Sequence, residues 1–312
     1  MIFKLDGGAE MEFYNKAIKI LEIFRTNRSS NGLICAHCQS ENVIRYGTYN
    51  EKQRYKCKVC KRTFTDFTNS PLNMCHFIDK WPEFIECTIK GFSLRKSSNI
   101  LKISYVTLFY WRHKFLIALK NIKNTEFEGL VEVSDIFLTY SLKGQKDIKH
   151  RVPRKSGRKY KYLLGEKVCV VMAIDQSKNV ASRATLNVGF NKKCVEGAIG
   201  NLVNKENILL FNQKPAYSSF CRSKRINFHP TSIKKYNIKS VRNYMSDFLR
   251  WILRFKGIAS KYTNNYLCWY KFISKINFDD TFIGVAKLIN AVSSEYINGK
   301  NSSICKQKLD RS

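Results

Sequence analysis

Four cysteines carry the clearest chemistry in this chain. Cys35, Cys38, Cys57 and Cys60 read C-x2-C-x18-C-x2-C, a spacing within the range of four-cysteine zinc sites. Each C-x-x-C turn brings two thiolates to one side of a tight knuckle. Two knuckles then close a tetrahedron with no open position for a catalytic water, so the metal is structural. Zinc is the expected ion; iron in a rubredoxin-like site is the chemical alternative, since four thiolates satisfy it too. Around the knuckles stand Arg45, Lys52, Arg54, Lys56, Lys58, Lys61 and Arg62, interleaved with Tyr46, Tyr49, Tyr55 and Phe64. That mixture suits phosphate contacts beside stacking surfaces, against the plainer reading of a solvated basic face.

A second group lies in GFSLRKSSNILKISYVTLFYWRHKFLIAL, residues 91–119. Ser93 can cap a helix whose apolar face includes Leu94, Ile100 and Leu101. Ile103 and Ser104 form a turn, and Ser104 can cap a second helix carrying Val106, Phe109, Tyr110 and Phe115. This is the pattern of a helix-turn-helix, although two helices of an ordinary bundle look similar. Thr107, Arg112, His113 and Lys114 are the polar candidates for contact with a major groove.

Charge agrees with such a partner. The 55 Lys and Arg against 24 Asp and Glu give a net charge of +31, spread too evenly for one basic tail, and a polyanion is implied. Nucleic acid is favoured over a membrane surface, because no run of eighteen apolar residues appears. Residues 1–10 lack the pattern of a secretory signal, so the expected location is cytoplasmic, nucleoid-associated if DNA-bound. The seven cysteines outside the motif (Cys75, Cys87, Cys169, Cys194, Cys221, Cys268 and Cys305) read as reduced small hydrophobes, mainly buried.

The elements that must position these groups follow from periodicity. Phe13, Ala17, Ile20, Leu21 and Phe24 recur at helical spacing, which predicts a helix over 11–25. Helical period disappears over 33–65, with short strands near 43–46 and 54–55, and returns over 77–120 with a break at 102–104. Short Val- and Ile-rich runs predict strands over 130–140, 168–174, 180–188 and 208–211, with a turn at 175–179 and a helix over 193–203. A helical block runs from Lys239 through Phe255, and more helix follows to about Tyr296. The predicted organisation is multidomain α+β: an N-terminal helix (1–30), a zinc ribbon (31–72), a helix-turn-helix region (73–126), an α/β core (127–270) and a C-terminal helical extension (271–312).

The runs CAHCQSENVIRYGTYNEKQRYKCKVCKRTFTDFTNSPL and KWPEFIECTIKGFSLRKSSNILKISYVTLFYWRHKFLIALK resemble the ISXO-like insertion-sequence transposases. The resemblance continues at FEGLVEVSDIFLTYS, KVCVVMAIDQSKNVAS and VRNYMSDFLRWILRFKGIASKYTNNYLCWY, covering roughly residues 11–270. It implies a ribonuclease-H-like core in which two aspartates and a third residue, Glu or Asn, hold divalent ions for strand cleavage and joining. The partner it implies is double-stranded DNA, terminal inverted repeats included, and an oligomer is compatible with it.

The chain departs from that family where the chemistry should be. The first-strand aspartate falls on Ser134, the second on Asn212 in ILLFNQ, and the third ligand on Arg242 in KSVRNY. Hard divalent ions need anionic oxygens to offset dehydration; a hydroxyl, an amide and a cation supply none. Losing on the order of 5 kcal/mol of metal assistance slows a reaction roughly 4,000-fold. Magnesium or manganese is therefore expected only if the core is active. The neighbouring carboxylates are poorly placed to substitute: Asp135 is one step along the strand and faces the other way, and Glu132 lies two residues off, about 6.6 Å away. Asp175 sits in a turn with no catalytic role implied. Between Lys143 and Lys161 a basic stretch, KGQKDIKHRVPRKSGRKYK, reads as a DNA-contacting loop carrying Arg151, Arg154, Lys155, Arg158 and Lys159.

Three readings follow. The leading one is a transposase-family DNA-binding protein that no longer cleaves. The second is an active transposase with metal ligands elsewhere. The third makes the ribbon a module for RNA or a protein partner.

Overall fold

The computed structural model describes residues 22, 26–29, 32–49, 52–122, 124–145, 148, 167–187, 189–231, 238–275, 281–293, 295, 297 and 301–310. Of the expected N-terminal helix, residues 22 and 26–29 are described and helical. The five basic residues of the expected loop, Arg151, Arg154, Lys155, Arg158 and Lys159, lie outside the described residues. The chain divides into two compact units, Met1–Ile122 with Phe272–Lys306 and Lys123–Lys271 with Gln307–Ser312.

The first unit contains an antiparallel sheet of β1 (Val43–Tyr49), β2 (Lys52–Cys57) and β3 (Thr63–Thr65), with β2 in the middle. Helices α1 (Trp81–Ile89), α2 (Leu94–Leu101) and α3 (Tyr105–Asn121) follow. Pro82 opens α1, where a missing N–H costs nothing. The core between α1 and α3 is aromatic: Trp81 meets Phe115 edge-on at 6.0 Å and Phe84 meets Trp111 at 5.5 Å. The C-terminal helix Thr281–Ser293 packs on α1 and α3. Arg28 ties the unit together, its guanidinium donating to the carbonyls of Asp66, Thr68 and Ser293 at 2.9, 2.7 and 2.9 Å.

The second unit is built on a five-stranded sheet. Strands β4 (Leu130–Thr139), β5 (Lys167–Asp175) and β6 (Val180–Asn187) form an antiparallel meander; β7 (Ile208–Phe211) and β8 (Asn227–Pro230) add in parallel beyond β4, giving the order β6-β5-β4-β7-β8. Strand β5 is apolar without alternation and buried from Val168 to Asp175, as befits a strand covered on both faces. Helices α4 (Lys192–Ile199) and α5 (Pro215–Lys224) cover one face. Helix α6 (Lys239–Ile252) packs on β4 and β5. This is the ribonuclease-H-like α/β arrangement, joined to a zinc ribbon and helices in one α+β chain.

The edge strand β6 is closed by the tail. Asp310 accepts from the Leu186 N–H at 2.8 Å and pairs with Arg183 at 2.8 Å, covering an edge that would otherwise be open. Two details differ from expectation. The helix predicted over 193–203 ends at Ile199, where Gly200 closes the last turn onto Glu196. Helix α5 and strand β8 were not anticipated as elements, although Pro215 at the first helical position is a start signal.

Candidate functional site

The four cysteines converge. Their sulfurs all lie within 4.8 Å of one another, with Cys35 Sγ to Cys60 Sγ and Cys38 Sγ to Cys57 Sγ each 3.6 Å. Four thiolates on zinc at about 2.3 Å stand about 3.8 Å apart, so the cluster fits a tetrahedral ion. The two knuckles are built alike. After each second cysteine the chain takes a left-handed residue, Gln39 at φ 62 and Lys61 at φ 61. Ser40 and Arg62 then return their carbonyls to the N–H groups of Cys35 and Cys57 at 2.8 and 3.0 Å. The thiols are poised unequally. The Cys60 backbone N–H, first among several donors, pulls Cys57 down to about 6. At Cys38 the Ser40 backbone favours the thiolate, but desolvation and the sharing of hydrogen bonds with Cys57, Cys60 and Cys35 outweigh it and push the thiol up to about 11. Cys35, Ala36, Cys57 and Phe64 form a small core under the cluster.

Basic residues flank this ribbon where expected. Arg45, Lys58 and Arg62 are exposed, and Arg54 and Lys56 lie over the Tyr46 ring at 5.7 and 4.9 Å. Tyr46 and Tyr49 are exposed. Lys52 pairs with Tyr49 at the end of the β1–β2 ladder.

Two helices joined by a short turn are present and both predicted caps are made: Ser93 accepts from the Lys96 N–H at 3.2 Å and Ser104 from the Val106 N–H at 3.3 Å. Lys102 turns the chain at φ 56. The residues facing outward differ from expectation. Arg112, His113 and Lys114 are 2%, 1% and 5% exposed, because the long second helix lies in the core over this turn. Arg112 donates to the Phe92 carbonyl at 2.8 Å, Lys114 to the Asn73 carbonyl at 2.7 Å, and the His113 ring packs 4.5 Å from Phe109. Burial holds the Lys114 amine below its usual pKa. The expectation of a solvent-facing row is corrected at these three residues. Thr107 is half-buried; Ile100 and Val106, read as apolar-face residues, are exposed, and so is Tyr105.

In the second unit two of the three positions given by the resemblance, Asn212 and Arg242, are in contact. The parallel register of β4 on β7 ends at Val133 opposite Phe211; Ser134 and Asn212 are the residues that follow that last pair, on neighbouring strands about 4.8 Å apart. Arg242, in the first turn of α6, donates from Nη2 to Asn212 Oδ1 at 2.8 Å. Thr231, just past β8 and not foreseen, donates to the same oxygen at 3.0 Å. The acceptor oxygen of this group is thus occupied by two donors, one of them a cation. A hard divalent ion does not fit here.

The neighbouring carboxylates are committed elsewhere. Glu132 accepts from Ser240 Oγ at 3.0 Å and the Val241 N–H at 2.9 Å, and so caps α6. Asp135 lies on the other face of β4, its side chain 3% exposed, bound to Lys214 Nζ at 2.6 Å and Tyr217 Oη at 2.9 Å. Burial first, and then the Asp135 charge, hold the Tyr217 phenol well above its ordinary pKa. Asp175 closes the β5–β6 turn, accepting from the Asn179 N–H at 2.7 Å and the Glu128 N–H at 3.2 Å.

Residues 126–272 match the family model of the ISXO2-like transposase domain. The chain is 35% identical over 120 residues to the uncharacterized protein in transposable element ISH50 of Halobacterium salinarum, an overlap of 38% of this chain and 40% of that protein. It therefore spans well under half the length of that relative. The crystal structure of a pre-cleavage Mos1 transpososome aligns over 66% of this chain and 75% of that one, at 9% identity and a TM-score of 0.25, a likeness too weak to carry weight. Among the described residues no helix is long and apolar enough to cross a membrane. Residues 126–272, within the unit that holds the five-stranded sheet, are thus similar to the ISXO2-like transposase domain.

Proposed function

We propose that this chain is a DNA-binding protein of insertion-sequence origin that keeps the architecture of a transposase and does not cleave DNA. The observation that carries this reading is the 2.8 Å hydrogen bond from Arg242 to Asn212, which puts a guanidinium where the family places metal ligands. Double-stranded DNA is the partner, with terminal inverted repeats as the natural target. The four-cysteine cluster holds zinc and stiffens the ribbon, whose exposed Arg45, Lys58, Arg62, Tyr46 and Tyr49 form a basic and aromatic surface for the duplex.

The active-transposase alternative needs Glu132 or Asp135 to hold the metal. Glu132 already caps a helix and Asp135 is paired on the opposite face; recruiting either would break those contacts. The test is a nicking and joining assay on repeat-ended duplex with magnesium or manganese, run beside binding of the same duplex. Binding without cleavage is the expected result; cleavage by the wild-type chain overturns the reading.

A further inference from the structure

The group that replaced the metal ligands has inverted its chemistry. A metal centre gathers acceptors around a cation, whereas this cluster gathers donors. Arg242 uses one guanidinium nitrogen on Asn212, and among the described residues it has no carboxylate partner. The Asn212 amide oxygen accepts twice, which leaves the two N–H donors of its NH2 group with no partner among the described residues. The Ser134 hydroxyl, 7% exposed, likewise makes no hydrogen bond among them. The only carboxylate on this face of β4, Glu132, is held by Ser240 and Val241. Exposure is graded, with Arg242 exposed, Asn212 half-buried and Ser134 nearly buried, so an incoming ligand meets the guanidinium first and the hydroxyl last.

We propose that Arg242, Asn212 and Ser134 form an anion site that takes a phosphodiester of the duplex, with Arg242 as the principal donor. A guanidinium fork matches two phosphate oxygens, which a lysine ammonium would not do. The amide and hydroxyl reach further into the same oxyanion, and Thr231 fixes the Asn212 rotamer so that its NH2 group faces the ligand. The scissile-strand position of an ancestral transposase thereby becomes a backbone clamp that holds DNA without attacking it. This inference rests on the DNA-binding reading above.

The experiment is duplex affinity by fluorescence anisotropy on the zinc-loaded full chain, over a series of sodium chloride concentrations. Wild type is compared with Arg242→Gln, Asn212→Asp, Arg242→Lys and a control, Lys178→Gln, an exposed cation at the β5–β6 turn. Each phosphate contact contributes about 0.9 to the slope of log affinity against log salt. Arg242→Gln should lower the slope by about 0.9, a loss of roughly threefold in the affinity change between 50 and 200 mM salt. Asn212→Asp should do the same with Arg242 still present, by engaging the guanidinium internally, and it keeps the test decisive if the first variant folds poorly. Arg242→Lys should keep the slope and lose affinity, because the charge stays and the fork goes. Lys178→Gln should leave both unchanged. A wild-type slope in Arg242→Gln and Asn212→Asp overturns the anion site and leaves the DNA-binding reading intact, and so does an equal fall in the Lys178→Gln control. Absence of salt-dependent duplex binding by wild type overturns the DNA-binding reading itself.

Discussion

Arg242 and Asn212 are joined by a 2.8 Å hydrogen bond, although thirty positions separate them in sequence and the resemblance assigns each independently to a metal-ligand position. A one-residue slip along extended chain turns a side chain to the other face, and one along a helix rotates it by about 100°, so either slip would name a different pair. Their contact is the observation that favours the proposed site at Asn212 and Arg242, with Ser134 next to it on β4.

Glu132 should behave as a helix cap. Glu132→Gln removes the charged acceptor of the Val241 N–H at the start of α6, and urea unfolding should show a loss of about 1 to 2 kcal/mol. If Glu132 were instead a metal ligand, the variant would keep its stability and change only its response to divalent ions.

The ribbon should contain about one zinc per chain. Elemental analysis of Cys35→Ser with Cys60→Ser should find the zinc gone, since those two sulfurs stand 3.6 Å apart in the cluster, and duplex affinity should fall with it. Zinc content unchanged in the double variant would refute the site.

The Tyr217–Asp135 pair predicts an alkaline signature. The folded phenol titrates above its ordinary value, so its contribution to stability is complete below pH 10 and is lost as pH rises towards the folded value. Tyr217→Phe should reduce the slope of unfolding free energy against pH above 10 by up to about 1.4 kcal/mol per unit. Asp135→Ala, which orphans the buried Tyr217 hydroxyl, should cost about 2 to 3 kcal/mol at neutral pH.

The basic stretch offers the largest electrostatic effect. Changing Arg151, Arg154, Lys155, Arg158 and Lys159 to Ala should lower the salt slope of duplex binding by up to about 4.5. An unchanged slope would remove that stretch from the interface.

Much of this was legible because it depends on spacing. The cysteine pairs, the Ser93 and Ser104 caps and the apolar runs of β4, β5 and β7 each declare themselves within a few residues. The facing of charged groups did not, because it depends on which side of a helix meets a core. Arg112, His113 and Lys114 look like an exposed basic row, yet α3 carries apolar residues all round and buries them. Conversely Ile100 and Val106 look like core and are exposed. Thr231 and Lys214 gained their roles from strand order, since β7 lies beside both β4 and β8, a pairing that no local pattern encodes.

Manganese binding by isothermal calorimetry, on the zinc-loaded full chain, tests the central claim most directly. Wild type should give no saturable heat beyond dilution, whereas the triple change Ser134→Asp, Asn212→Asp and Arg242→Glu should bind the ion, because it replaces the donor cluster with three carboxylates at the same positions. Saturable manganese binding by wild type, abolished by Glu132→Ala, would contradict the account.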